Sequence, residues 1–375
     1  MPESTTEILA YRILELLPFL TALPEALHLP LAIALTGLVP ITIISLIGLV
    51  GVYMERKISA FIQVRLGPME VGPYGILQTL ADGIKLIGKE DIIPRGADRP
   101  LFILAPIFAF VGVVLLFVAI PFDRNFIVVD LNVGIFYLAA VASIEVVGVI
   151  MAGWASNNKW SLLGAMREAA QVVAYEIPLG ICLITVVLLA GSFSMVEIVE
   201  GQKGLFLNWF LFRNPVMWVP FIAFMVASLA ELKRAPFDLP EAESELVSGF
   251  HTEYTGMRFS IFFIAEYGAM FISGALISVL FLGGYYTGIP FLDDIGGAIG
   301  LLLRTGTLFG KAFFFIFVQM WLRWTLPRVR LDQMFYICYK VLVPFGFVAL
   351  LITAFWELVF PGQGFMSLGW APGSQ

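Results

Sequence analysis

Hydrophobic positions along the chain gather into eight long blocks, at residues 31 to 53, 101 to 120, 133 to 154, 172 to 190, 216 to 231, 260 to 282, 305 to 322 and 341 to 360. About 20 predominantly apolar residues in a helix cross the roughly 30 Å of bilayer hydrocarbon. The pattern therefore predicts an all-α polytopic membrane protein with eight transmembrane helices. The fifth block is the weakest, since Pro220 interrupts it and it ends at Glu231, although Pro215 before it suits a helix entry. Internal prolines are tolerated where neighbouring helices satisfy the freed backbone.

The segments between the blocks divide the rest. A single transmembrane domain covers 31 to 360, with an N-terminal extension at 1 to 30 and a C-terminal tail at 361 to 375. The extension holds Glu3, Glu7, Glu15 and Glu25 and begins without a basic region, unlike a cleaved signal peptide. In the longest loop, 54 to 100, Leu77, Leu80, Ile84 and Ile87 follow helical spacing, with Asp82, Lys85 and Lys89 on another face. That spacing predicts an amphipathic helix lying at the membrane surface.

Charge tests the span count independently. Loops 54 to 100, 155 to 171, 232 to 259 and 323 to 340 hold sixteen of the 22 Lys and Arg residues. Basic residues concentrate in cytoplasmic loops, so these four loops are expected on the cytoplasmic side and both termini outside.

Composition narrows the chemistry. The chain is 59% hydrophobic and 13% charged, with a mean hydropathy of +0.92, too little polar surface for a water-facing fold. A net charge of -6 without basic clusters argues against a nucleic-acid binder. Two cysteines, Cys182 and Cys338, cannot hold an iron–sulfur cluster, and two distant histidines, His28 and His251, offer too few ligands for a pair of haems. No cofactor is expected on the chain itself.

Ionisable residues inside spans cost about 2.5 kcal/mol or more at the bilayer centre, which makes each a functional candidate. Glu145, Glu176, Glu231, Glu266 and Lys311 qualify. The alternative reading is that end residues snorkel and central ones satisfy a neighbouring helix. The loop after the fifth block carries Lys233, Arg234, Asp238, Glu241, Glu243, Glu245, His251 and Glu253. Pro240 fits a first helical turn, which would place Glu241 and Glu245 on one face and Glu243 on another. Acids crowded in this way repel one another, as a proton relay requires. A solvated acidic loop and a metal site are the competing readings.

The motifs in these loops resemble those of the H-subunit family of respiratory complex I, the proton-pumping NADH:quinone oxidoreductase. They run in order through Glu55-Arg56-Lys57, Arg65-Leu66-Gly67-Pro68, the surface helix around Asp82 and Lys85, Gly153-Trp154-Ala155-Ser156-Asn157-Asn158-Lys159, Tyr175-Glu176, Pro236-Phe237-Asp238-Leu239-Pro240-Glu241-Ala242-Glu243-Ser244-Glu245-Leu246, Glu253-Tyr254, Glu266-Tyr267 and Leu326-Pro327-Arg328-Val329-Arg330.

The resemblance implies a membrane-arm subunit of a bacterial cytoplasmic membrane, docked under a peripheral arm, with its inner loops closing a quinone-reduction chamber. It implies flavin and iron–sulfur clusters on partner subunits, with quinone as substrate. It also implies a carboxylate relay through Glu176, Glu231, Asp238, Glu241, Glu243, Glu245, Glu253 and Glu266. Glu55, Arg56, Lys57, Arg65, Asp82 and Lys85 would serve the chamber or partner docking. Glu145 matches no motif of the family, and the purpose of Lys311 stays open. The rival readings are the membrane subunit of a related hydrogenase complex and a self-contained ion transporter. The electron donor binds modules outside this chain.

Overall fold

The structure, a computed structural model, describes residues 25–124 and 126–360. The expected C-terminal tail and most of the N-terminal extension fall outside the described residues. Among the described residues nine principal helices follow in order: α1 (Glu25–Ile62), α2 (Gln78–Gly88), α3 (Arg99–Val118), α4 (Gly134–Ala155), α5 (Lys159–Ala190), α6 (Trp218–Glu231), α7 (Gly256–Phe281), α8 (Gly297–Thr325) and α9 (Leu331–Val359). No strand occurs among the described residues, only an isolated bridge between Asp123 and Phe126.

Seven of these helices are long and apolar enough to cross a membrane. The fifth expected span differs. It is the shorter apolar helix α6 led by a 3₁₀ turn, together Pro215–Glu231, about 25 Å at 1.5 Å per residue. Asn214 caps the turn by accepting from Val216 N at 3.0 Å, and the chain leaves the helix into a tight turn at Leu232 and Lys233. An interior position among longer helices suits it, since Ala223, Phe224, Ala227 and Leu229 are buried.

Several helices outrun their apolar blocks. Most of the expected loop 155 to 171 is helix, because the Asn158 side chain accepts from Trp160 N at 2.9 Å and starts α5 at Lys159. The expected loop 323 to 340 likewise shrinks to a connection between Thr325 and Leu331. These helix ends are polar in sequence, so hydropathy reads them as loop.

Helix α7 is the core of the bundle, 78% buried over its apolar window, against 22% to 50% for the other long helices. Without a hydrophobic drive between helices in lipid, close packing relies on small residues. A Cβ on Gly148 would lie 2.5 Å from the backbone nitrogen of Ala109, so α3 and α4 pack backbone to backbone. Outward faces carry exposed Phe136, Ile184, Phe355 and Leu358, suited to lipid.

Helix α2 forms as expected. Leu80, Ile84 and Ile87 are exposed, whereas Asp82 turns inward to Arg56 of α1 at 2.6 Å. Its apolar side is thus left outward by this chain, as an interfacial helix requires.

Candidate functional site

Charged side chains converge where α1, α4, α5, α7 and α8 meet the loop from Leu232 to Thr255. The loop is pinned on both sides. Gln171 of α5 donates to the carbonyls of Ala230 at 2.6 Å and Phe237 at 3.0 Å, and Val329 N donates to Pro236 O at 2.9 Å. Gly249 lets it fold on itself: its φ is +54°, and a Cβ there would lie 1.8 Å from Pro240 O. Only glycine accepts both demands.

This fold corrects the expected helical register. Pro240 and Glu241 lie in a bend before a one-turn helix, Glu243–Leu246, followed by a 3₁₀ turn, Gly249–His251. Glu241 and Glu245 therefore do not share a face. Glu241 turns in to His251 Nε2 at 3.1 Å, while Glu245 is half exposed and paired with Arg167 at 2.5 Å. The close contact between Gly249 and Pro240 takes precedence over helix propensity in this segment. The side chain of Glu243 falls outside the described residues.

The first charged group centres on Glu55, toward the C-terminal end of α1 and buried. Its carboxylate accepts from Arg234 at 2.6 Å, from Arg323 and from the Tyr267 hydroxyl. Arg234 Nε lies 2.5 Å from Glu266 Oε1, and its guanidinium covers the Tyr267 ring at 4.8 Å. One buried arginine thus joins carboxylates on α1 and α7. Burial of a charge is tolerated only with such pairing.

The second group centres on Lys233. Its ammonium lies 2.7 Å from Glu145 and 3.8 Å from Glu168. Its backbone is left-handed, φ +56°, unusual for a residue with a side chain. Burial disfavours the ammonium, but Glu145 and Glu168 outweigh it and hold Lys233 strongly charged. A cavity of about 10 Å³, room for about one water, is lined by Glu145, Lys233, Glu241, His251 and Glu266.

A larger cavity of about 380 Å³ lies beyond, with Glu145, Tyr175, Glu176 and Glu231 at its polar part. Its apolar walls run along α4 from Glu145 to Ile135 and along α7 from Ala269 to Leu280. Glu145 lines both cavities.

At the rim, Asp238 pairs with Arg328 at 2.9 Å. Burial, then the charge of Glu241, pushes its carboxyl up to about 6 despite that arginine. Glu241 shifts the other way: burial raises it, but the His251 hydrogen bond and the nearby cations hold it below the usual range. Glu253 accepts from Asn158 at 2.6 Å.

The structure does not bring the whole expected set together. Arg65 is exposed and donates to Gln63 at 2.6 Å, Lys57 donates to Pro68 O at 2.7 Å, and Lys85 is exposed beside Asp82 at 3.4 Å. Arg56 and Lys57 at the end of α1, Arg65 in the connection after it, and Asp82 and Lys85 of α2 form a separate group outside the buried ones. Conversely, Lys233, Arg234, Arg323 and Tyr267 hold the interior together, and Glu168 is fully buried. Ser161, Gln171 and Tyr175 share the buried side of α5 with Glu168. That helical spacing was the available signal for Glu168, hidden because the segment reads as loop.

A bundle of long apolar helices that encloses clustered buried carboxylates and cations defines the class: a polytopic membrane protein with paired charges in its interior. Residues 35–354 match the family model described as NADH dehydrogenase, and the chain belongs to that family. Over 338 residues it is 54% identical to a protein of Chlorobaculum tepidum named as the H subunit of NADH-quinone oxidoreductase, covering 88% of this chain and 93% of that one. Proteins of the same name from Chlorobium luteolum and Anaeromyxobacter dehalogenans are 52% and 44% identical, over 89% and 88% of this chain and 91% and 82% of theirs.

Proposed function

We propose that the chain is a membrane-arm subunit of a proton-pumping oxidoreductase that passes electrons from NADH or another donor to quinone in a bacterial cytoplasmic membrane. It forms part of the quinone-reduction chamber and the first carboxylate relay between quinone reduction and proton movement. Flavin and iron–sulfur clusters belong to partner subunits on this reading. The observation that carries it is the position of Glu145, which lines both cavities and so joins Glu241 and Glu266 to Glu176 and Glu231.

Reducing quinone to quinol takes up two protons and creates transient negative charge near the inner loops. Arg234, held between Glu55 and Glu266, responds to such a change by favouring whichever carboxylate remains charged. Protonation of Glu266 leaves Arg234 to Glu55, and the proton's departure restores the bridge. Groups coupled in this way titrate together and not singly.

The test replaces Glu176, Glu241 or Glu266 with Gln in the assembled complex, which keeps shape and hydrogen bonding but removes titration. Coupled quinone reduction and proton pumping should fall in each. Full activity with a normal proton-to-electron ratio in all three would refute the relay.

A further inference from the structure

The Lys233 group contains an imbalance that the relay so far leaves unused. One ammonium faces two carboxylates, at 2.7 Å on Glu145 and 3.8 Å on Glu168. The longer separation is not a hydrogen bond, and neither oxygen of Glu168 has any other hydrogen-bond partner among the described residues, although the residue is completely buried. A buried carboxylate in that state carries a large desolvation penalty as an anion.

Among the described residues the surroundings supply no other cation to Glu168. The carboxylates that interact with Lys233 are Glu145 from α4, Glu168 from α5, Glu231 from α6 and Glu241 from the connecting loop, with His251 and Glu266 beside it on the small cavity. Arg234 is committed to Glu55 and Glu266, and His251 to Glu241. Lys233 is left as the group that Glu145 and Glu168 must share. Its left-handed backbone turns a long, flexible stem into this interior.

We propose that Lys233 passes protons between Glu168 and Glu145, making Glu168 a further proton-carrying residue; the proposal rests on the relay reading above. With Glu168 protonated and Glu145 charged, the Lys233 ammonium gives one proton to Glu145, and the resulting amine takes the proton of Glu168. Glu168 ends charged, Glu145 neutral and Lys233 again an ammonium, now drawn to Glu168. One proton has moved and the net charge of the three groups is unchanged. With both carboxylates ionised Lys233 is held charged, but protonation of Glu168 removes one of the two charges that support the ammonium, and burial then favours passing its proton across the 2.7 Å contact to Glu145 over keeping separated charges.

Arginine provides the sharpest test, because its guanidinium keeps the charge and both ion pairs but does not release a proton in proteins. In assembled complex in its native membranes, Lys233→Arg and Glu168→Gln should each lower coupled turnover roughly tenfold, less than the about 10²- to 10⁴-fold that a proton-transfer group contributes at a reacting centre. Glu168→Asp should recover part of the loss. Infrared difference spectra between oxidised and quinol-reduced complex should show a protonated-carboxyl band that Glu168→Gln removes and Glu168→Asp shifts. If Glu168→Gln fails to assemble, the Asp variant and Lys233→Arg still decide the matter. Wild-type turnover in Lys233→Arg, or a carboxyl band indifferent to position 168, would overturn the proposal. Failure of this step alone would leave Glu266→Gln impaired, whereas failure of the relay would leave Glu266→Gln normal too.

Discussion

Two lysines turn into opposite parts of the bundle and are held in opposite ways. Lys311 of α8 donates to the carbonyls of Leu282 at 2.7 Å, Gly284 at 3.0 Å and Tyr286 at 2.6 Å, and its ammonium lies 4.3 Å from the Trp209 ring centre. All three of its donors are satisfied by fixed backbone, which caps the end of α7. Lys233 has two carboxylates that compete for it. The first arrangement has one stable state and reads as structure; the second has two on the proposal above, and so reads as function. Burial of a cation within a membrane protein is therefore not informative by itself. The number and kind of its partners decide the reading.

The comparison predicts its largest effect at Lys311. Lys311→Met removes its donor from three inward carbonyls, leaving Gly284 O only the 3.4 Å bond from Ser278 Oγ, and a carbonyl left unpaired costs about 1 to 3 kcal/mol. Thermal unfolding of the purified complex should move down clearly and the yield of assembled complex should fall, with turnover per assembled complex retained. Lys233→Met should reverse the pattern: the flanking acids can take protons, so assembly survives, while coupled turnover falls by about tenfold, or about 1.4 kcal/mol of barrier. Equal loss of assembly in both variants would collapse the distinction.

Gly249→Ala comes next. Strain at its left-handed backbone is of order 1 to 3 kcal/mol, and the added Cβ must push against Pro240 O. The loop would shift Glu241 from His251, so quinone reduction should fall in proportion to the lost loop, while electron transfer to an acceptor upstream of quinone continues.

Asp238 gives a pH-dependent prediction. Its carboxyl, raised to about 6 from an ordinary 3.8, favours the protonated form in the folded loop. The stability it contributes is full below about pH 4 and is lost as the pH rises through about 6. Asp238→Asn should therefore flatten the dependence of the complex's melting temperature across that window, and an unchanged slope would contradict the assignment.

Glu245 stands at the small end. Its carboxyl is held below the usual range by the Arg167 hydrogen bond, but an exposed pair of this kind contributes only about 0 to 1 kcal/mol. Glu245→Gln should leave turnover close to wild type, in contrast to Glu241→Gln four residues away.

Much of the fold was legible because apolar length and charge asymmetry are local properties of the chain. The spans around α3, α4, α7 and α8 follow directly from them, and the α2 stripe of Leu80, Ile84 and Ile87 revealed a surface helix. Hydropathy failed where helices continue into polar sequence, as at the start of α5, and Glu168 was overlooked for that reason. Within the site, Glu231, Glu241 and Glu266 were visible as acids in expensive places. The cations that organise them were not, because Lys233 and Arg234 look like ordinary anchoring charges until α1, α4 and α7 close around them. The grouping of Glu55 with Arg234 and Arg323 spans distances in sequence that no local pattern encodes. Glu145 showed the cost of its position but not its neighbours.

That residue also offers the most direct test of the central claim, since it alone among the described carboxylates lines both cavities. The measurement is the proton-to-electron ratio of Glu145→Gln complex reconstituted into sealed vesicles, with assembly verified. The relay predicts a reduced ratio together with slower quinone reduction, because the path from Glu241 and Glu266 to Glu176 and Glu231 is cut. An unchanged ratio at wild-type turnover would contradict it.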